Sequence, residues 1–355
     1  MNEFLELSFD PVKAAEEAGL YYASPTERGF VRKSQVRGRG RGFIYLSHTG
    51  RRLTAQKHLD RIESLRIPPA WEAVWICADA NGHLQATGLD GKDRRQYLYH
   101  PLWTRLRAEA KFDRMLPFAD KLHIIRERCE KDLRKRGLPK DKVIALVITL
   151  MDATFIRIGN DEYARRNKSF GLTTLQDDHV IFDRGKAIFA FTGKSGKEHT
   201  VTFDDRRLVK LIRACRDIPG DDLFQYYDAE GERHDIKSNH INEYLLETTS
   251  MPFTAKDFRT WGGTHLAGGC LSDLPFEPSE TKRKRQVTKM VREVAMALGN
   301  TPAVCRGSYI HPRLIEDFLA GAFHDKWAAA RKRAARSRAR LNPDERVVVC
   351  YLKKS

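Results

Sequence analysis

Lys142-Val143-Ile144-Ala145-Leu146-Val147-Ile148-Thr149-Leu150-Met151-Asp152-Ala153-Thr154-Phe155-Ile156-Arg157-Ile158 is an almost wholly apolar run, with Pro139 before it and Gly159 after it. A proline at the start and a glycine at the stop predict one long helix over 142–158, apolar enough to be buried. Upstream, residues 102–138 are rich in Leu, Ile, Arg, Lys and Glu and also predict helix. Downstream the period changes. Val180-Ile181-Phe182, Ala187-Ile188-Phe189-Ala190-Phe191 and His199-Thr200-Val201-Thr202-Phe203 predict strands separated by glycine turns. The rest is expected to be mostly helical, ending in a basic helix from Trp327 to Arg340.

The N-terminal third has a different texture. Residues 1–30 suggest irregular or helical chain, with a short amphipathic piece at Val12–Gly19. From 31 to 105 the β-prone runs Phe43–Leu46, Val74–Cys77 and Leu84–Thr87 are punctuated by Gly50, Gly82 and Gly88-Leu89-Asp90-Gly91, with a stiff turn at Pro68-Pro69. The expected fold class is therefore α+β: a small β-rich N-terminal domain over 1–105, then a larger mainly helical domain over 106–355 carrying a β-hairpin region.

The 355 residues include 63 Lys and Arg against 47 Asp and Glu, a formal net charge of +16. Such an excess draws a polyanion over long range, nucleic acid first and an acidic membrane surface second. No stretch reaches the roughly 18 apolar residues a membrane span needs, and Met1-Asn2-Glu3-Phe4 does not open a signal peptide. The six cysteines stand far apart without CxxC pairing and suggest reduced thiols in a cytosolic protein. No HExxH or P-loop pattern is present, and Arg37-Gly38-Arg39-Gly40-Arg41-Gly42 lacks the strand–turn–helix context of a nucleotide fingerprint.

Candidate chemistry lies in the helical domain. Arg157 sits in an apolar run, where a charge is costly unless paired. It fits either a buried salt bridge or a guanidinium held to grip an oxyanion. Lys194, in Thr192-Gly193-Lys194-Ser195-Gly196-Lys197, falls at a hairpin turn, where lysines commonly serve solubility. Arg259, in Lys256-Asp257-Phe258-Arg259-Thr260, fits a structural ion pair equally well, and Tyr309 a part-buried core tyrosine. The clusters Lys282-Arg283-Lys284-Arg285 and 327–340 fit solvated faces as well as nucleic-acid contacts.

Together, in the order Arg157, Lys194, Arg259, Asn300, Tyr309, these residues resemble the poxvirus-type and bacterial type IB DNA topoisomerases, over nearly the whole chain. The matching blocks are Phe155-Ile156-Arg157 with Gly159, Gly171-Leu172-Thr173-Thr174-Leu175, Gly193-Lys194, Lys256-Asp257-Phe258-Arg259-Thr260, and Asn300-Thr301-Pro302 through Tyr309. Gly91-Lys92-Asp93-Arg94-Arg95-Gln96-Tyr97-Leu98-Tyr99 matches in the N-terminal domain.

The resemblance implies transient cleavage of one DNA strand and its resealing, relaxing positive and negative supercoils without ATP, metal or other cofactor. It implies Tyr309 as the nucleophile that forms a 3′-phosphotyrosyl bond, and Arg157, Arg259 and Asn300 as donors to the non-bridging oxygens. Lys194 would be the general acid for the leaving 5′-oxygen. It implies DNA contacts by Arg94, Arg95, Gln96, Tyr97 and Tyr99, with Asn160 as a further candidate. The expected partner is double-stranded DNA rather than a membrane, gripped by a monomer that clamps the duplex, in a bacterial cytoplasm and associated with the nucleoid.

Two departures stand out. Asn300 occupies the place of a histidine in poxvirus-type and eukaryotic members, which marks the bacterial branch and removes imidazole chemistry there. Gly307 stands where relatives often carry a basic residue, and is expected to loosen the turn before Tyr309. The rival expectations are a tyrosine site-specific recombinase and an inactive DNA-binding relative. Lys256 argues against the recombinase, because recombinases usually carry His three residues before the second arginine.

Overall fold

The computed structural model describes residues 10–37 and 40–353. The stretch 1–9 and the Gly38-Arg39 pair of the glycine run lie outside the described residues. The chain divides into two compact units, Met1–Asp113 and Arg114–Ser355.

The first unit opens with α1 (Pro11–Glu17), N-capped by Asp10, whose carboxylate accepts from the N–H groups of Val12 and Lys13. Its sheet has strands β1 (Gly29–Arg37), β2 (Gly40–Leu46), β3 (Glu72–Cys77), β4 (Leu84–Leu89) and β5 (Arg95–Tyr99), in the order β2-β1-β3-β4-β5. Every pairing in it is antiparallel. Arg37 and residues 40 to 42 of the glycine run belong to the paired strands β1 and β2. One expectation is corrected: helix α2 (Gln56–Ser64) interrupts the strand-like region. Leu59 and Ile62 recur at helical spacing, and Ile62 is buried with Phe30, Ile67, Val74, Ile76 and Ala86. Buried Arg32 satisfies the turn at the two prolines by donating to the carbonyls of Ile67, Pro68 and Trp71. The unit closes with α3 (Pro101–Asp113), whose Trp103 packs on Ala15 and Leu20. The division therefore falls after Asp113, where the sequence suggested 105.

The second unit is built around α5 (Lys140–Thr154). Val143 to Ile148, Leu150 and Met151 are all buried, as an all-round apolar helix requires. Around it pack α4 (Met115–Leu133), α8 (Ser238–Thr249) and α9 (Ala255–Asp273). Phe118 meets Phe253 and Phe258 edge-on, with ring centroids 5.3 and 4.9 Å apart. A three-stranded antiparallel sheet, β6 (Val180–Asp183), β7 (Lys186–Gly193) and β8 (Lys197–Phe203), sits where the sequence placed strands. It is followed by α7 (Arg206–Arg216) and by a small hairpin, β9 (Gln225–Tyr227) and β10 (Arg233–Asp235), which the sequence did not reveal. After α9 come α10 (Glu280–Ala297), α11 (Pro302–Ser308), α12 (Pro312–Leu319), α13 (Phe323–Ala335) and α14 (Pro343–Leu352).

Three local expectations are corrected here. Helix α5 stops at Thr154, because Phe155 turns left-handed (φ 56°). Arg157 therefore lies beyond the helix, in chain without regular secondary structure, not in its last turn. The basic helix ends at Ala335, and Trp327, Ala330 and Ala334 face the core, Trp327 against Phe323 and Tyr351. Gly307 lies within α11 rather than in a turn, and a Cβ there would meet open space.

Candidate active site

Helix α9 is the platform. Lys256 and Arg259 are one helical step apart and share a face. The next turn carries Gly262 and Gly263. A side chain at Gly262 would overlap the Phe155 ring, and a Cβ at Gly263 would come within 2.7 Å of the Tyr309 carbonyl oxygen. These two glycines let the segments carrying Arg157 and Tyr309 close onto the helix carrying Arg259. Thr264 fixes the second segment: its hydroxyl donates to Tyr309 O at 3.1 Å and accepts from His311 N at 3.0 Å.

The Arg157 segment is held by the Gly171-Leu172-Thr173-Thr174 block. Leu172 N donates to Arg157 O at 2.8 Å, and the Thr173 N–H and hydroxyl both donate to Ile158 O. A Cβ at Gly171 would stand 2.5 Å from Arg157 O, so only glycine fits that approach.

Both arginines donate to main-chain carbonyls at the turn that ends α10. Arg259 donates to Leu298 O at 2.7 Å and to Phe155 O; Arg157 donates to Gly299 O at 3.4 Å and to the side-chain oxygen of Asn300. Lys197 donates to the third carbonyl, Asn300 O. Carbonyls at a helix C-terminus carry partial negative charge and suit cations. The salt bridges among the described residues include neither Arg157 nor Arg259 nor Lys194. The two arginines are therefore oriented without being neutralised, which disfavours the salt-bridge alternative for both. Burial lowers the pKa of each guanidinium, yet Arg remains charged at any ordinary pH.

Arg157, Lys194, Lys256, Arg259 and Tyr309 line one cavity of about 330 Å³, with Asn160, Tyr163 and Phe170 on its wall. Arg259 is 96% covered and stands 5.1 Å over the Tyr309 ring. Burial alone would raise the Tyr309 pKa. Arg259, Arg157 and Lys256 outweigh it and hold the phenol below its usual value. Lys194 is exposed at the tip of the β7–β8 hairpin, where Ser195 and Gly196 take positive φ. Asn300 is buried behind Arg157, and its Nδ2 is a buried donor without a partner among the described residues. Asn160 caps α6 (Asp161–Asn167) by accepting from Tyr163 N at 2.9 Å. Lys256 stands in the block that carries Arg259 and also argues against a recombinase, without a role of its own; its spacing from Arg259 on a helix is the signal that it faces the same cavity.

In the first unit, β5 is an edge strand. Arg95, Tyr97 and Tyr99 project from one face, and the two tyrosine rings are parallel within 11° at 6.0 Å. Gln96 points to the other face and donates to Asp90 at 2.8 Å, and Asp90 also pairs with Arg94 at 2.7 Å.

What this arrangement offers is an anion site with a phenol in it: permanent cations, one unspent amide donor, and a hydroxyl that ionises more readily than a free tyrosine's. Comparison with known proteins agrees. Residues 103–333 match the family model described as eukaryotic DNA topoisomerase I, catalytic core, and residues 42–90 match the bacterial DNA topoisomerase IB N-terminal domain. The chain is 30% identical to DNA topoisomerase 1B of Acanthamoeba polyphaga mimivirus, over 76% of this chain and 83% of that one. It is 25% identical to DNA topoisomerase 1B of Vaccinia virus (strain Copenhagen) and to DNA topoisomerase I of Monkeypox virus, in each case over 69% of this chain and 75% of the relative. With both of its parts matched, the chain belongs to the type IB DNA topoisomerases.

Proposed function

We propose that this enzyme relaxes positive and negative supercoils in double-stranded DNA through a 3′-phosphotyrosyl intermediate, without ATP or metal. The observation that carries the proposal is the buried Arg259 and the half-buried Arg157, both held by carbonyls rather than carboxylates, beside the Tyr309 phenol.

In this mechanism the Tyr309 oxygen attacks the phosphorus and gives up its proton to water, a loss eased by the neighbouring cations. Arg157 and Arg259 donate to the non-bridging oxygens as charge builds in the transition state. Asn300 adds its free amide N–H. The P–O5′ bond breaks, and Lys194 gives the leaving oxygen its proton, worth roughly 10²- to 10⁴-fold for a general acid. The bond energy stays in the phosphotyrosyl linkage, so resealing is the same path reversed. Between the two steps the nicked strand rotates.

The exposed face of β5, with Arg95, Tyr97 and Tyr99, is the proposed DNA-reading surface of the first unit. Arg94 and Gln96 would exchange Asp90 for DNA, and Asn160 would lie along the strand entering the cavity. We further propose a monomer that clamps the duplex and works on the nucleoid of a bacterial cytoplasm, as the Asn300 branch suggests.

The test is relaxation of plasmid of either supercoil sign in EDTA without ATP, beside Tyr309→Phe. Relaxation by the wild type and none by the mutant supports the assignment. A covalent protein–DNA band from Tyr309→Phe would remove Tyr309 as the nucleophile.

A further inference from the structure

His199 has no part in the chemistry above, yet it sits between the hairpin that carries Lys194 and the turn that orients the two arginines. It lies on β8, directly across from Phe191 on β7, and the two rings stack at 5.0 Å within 3° of parallel. Its edges meet two glycines. A Cβ at Gly193, the residue before Lys194, would stand 2.5 Å from the histidine Nε2; a Cβ at Gly299, the residue before Asn300, would overlap its Cε1. The ring is thus wedged between the hairpin tip and the turn whose carbonyls orient Arg157 and Arg259. Lys197 ties the same hairpin to the same turn through Asn300 O. His199 Nε2 is buried and has no hydrogen-bond partner among the described residues, so shape rather than hydrogen bonding at that atom fixes the ring's place. Burial, together with Arg157, Arg259 and Lys197, lowers its pKa; a neutral ring adds no further positive charge to a crowded cationic site.

We propose that His199 is a positioning residue: a steric wedge that sets the β7–β8 hairpin on the Gly299 turn and so places Lys194 against the leaving oxygen. This rests on the general-acid assignment of Lys194 above. Removing the wedge leaves the arginines and Tyr309 in place and lets the acid drift. Misplacement of a reacting group by about 1 Å can cost on the order of 100-fold.

The experiment is single-turnover cleavage by the full chain at a site first mapped with the wild type. Two duplexes are compared, one with the ordinary 5′-oxygen and one with a 5′-bridging sulfur, which leaves without a proton. His199→Ala is expected to slow oxygen-substrate cleavage by roughly 10- to 100-fold and to come within a few-fold of wild type on sulfur. Gly193→Ala, which keeps the ring but drives a methyl into it, is expected to show the same pattern, and it tests the contact even if His199→Ala fails to fold. The double variant should be no worse than the poorer single one, because both act through one contact. Equal losses on oxygen and sulfur, no loss at all, or additive effects in the double variant would each overturn the proposal. Lys194→Ala runs alongside. If sulfur rescues Lys194→Ala but not His199→Ala, the wedge alone falls. If sulfur does not rescue Lys194→Ala, the general-acid assignment falls and takes the wedge with it.

Discussion

Glu345 ties the C-terminal helix to the helices that carry the site, and its removal has a size that can be worked out. Its side chain is 5% exposed. It takes two hydrogen bonds from Arg126, both 2.8 Å, one from Trp261 Nε1 at 3.1 Å and one from Asn342 N at 3.0 Å. Arg126 in turn holds Asp152 at 2.8 Å. Glu345→Ala strands the Trp261 donor, two residues from Arg259, and leaves Arg126 with Asp152 alone. Breaking a buried pair costs about 3–5 kcal/mol. The stranded donor, about 1–3 kcal/mol taken singly, belongs to the same network and does not add in full. For a unit of this size 1 kcal/mol moves Tm by about 2–4 °C, so the expected drop is about 6–20 °C.

The pH dependence has a definite sign. Burial would raise the Glu345 pKa, but Arg126, Trp261 and the Asn342 N–H bring it below the usual carboxylate value. Its stabilisation is therefore complete above the unfolded pKa of about 4.3 and is lost as pH falls through the lower folded value. Calorimetry of wild type and Glu345→Ala should show a Tm gap that is full at neutral pH and narrows as pH falls below about 4. A gap under about 2 °C at neutral pH, or one that is unchanged at about pH 3, would refute the idea that this carboxylate clasps the helices together.

Single-turnover cleavage should rise with pH through a pKa below the usual tyrosine value of about 10, and Lys256→Ala should move that pKa upward; an unmoved profile would remove Lys256 from the phenol's surroundings. Arg157→Lys keeps a charge but not the fork that reaches both Gly299 O and Asn300, and should lower the cleavage rate by roughly 10²- to 10³-fold with DNA affinity nearly unchanged; equal loss in both would make Arg157 a binding residue. Tyr97→Ala with Tyr99→Ala should weaken duplex binding several-fold while leaving the steepness of its salt dependence unchanged, because no phosphate-neutralising cation is removed; a shallower slope in a binding titration would contradict that.

Much of the site was legible in the sequence because its blocks are short and local. Gly193-Lys194 marks a hairpin tip whatever surrounds it, Lys256 and Arg259 share a helix face by spacing alone, and the apolar run from Val143 identifies the central helix by composition. The strands at 180–203 follow from alternation between glycine turns. Where the sequence misled, a distant residue decided the local conformation. The end of α5 at Thr154 comes with Phe155 turning back onto Gly262, more than a hundred positions away. The bare stretch at Trp327 reads as a basic surface helix until Phe323 and Tyr351 cover its apolar side.

What the sequence determined by itself was the list of groups: two permanent cations, a lysine, an amide, a phenol and no carboxylate within their blocks except Asp257. What only the tertiary structure decided was their state. Whether Arg157 and Arg259 were neutralised by acids or held by carbonyls depended on where the turn Leu298-Gly299-Asn300 came to rest. A carbonyl turns a guanidinium without cancelling its charge, and that choice, made by chain segments remote in sequence, leaves the cavity around Tyr309 able to take an anion.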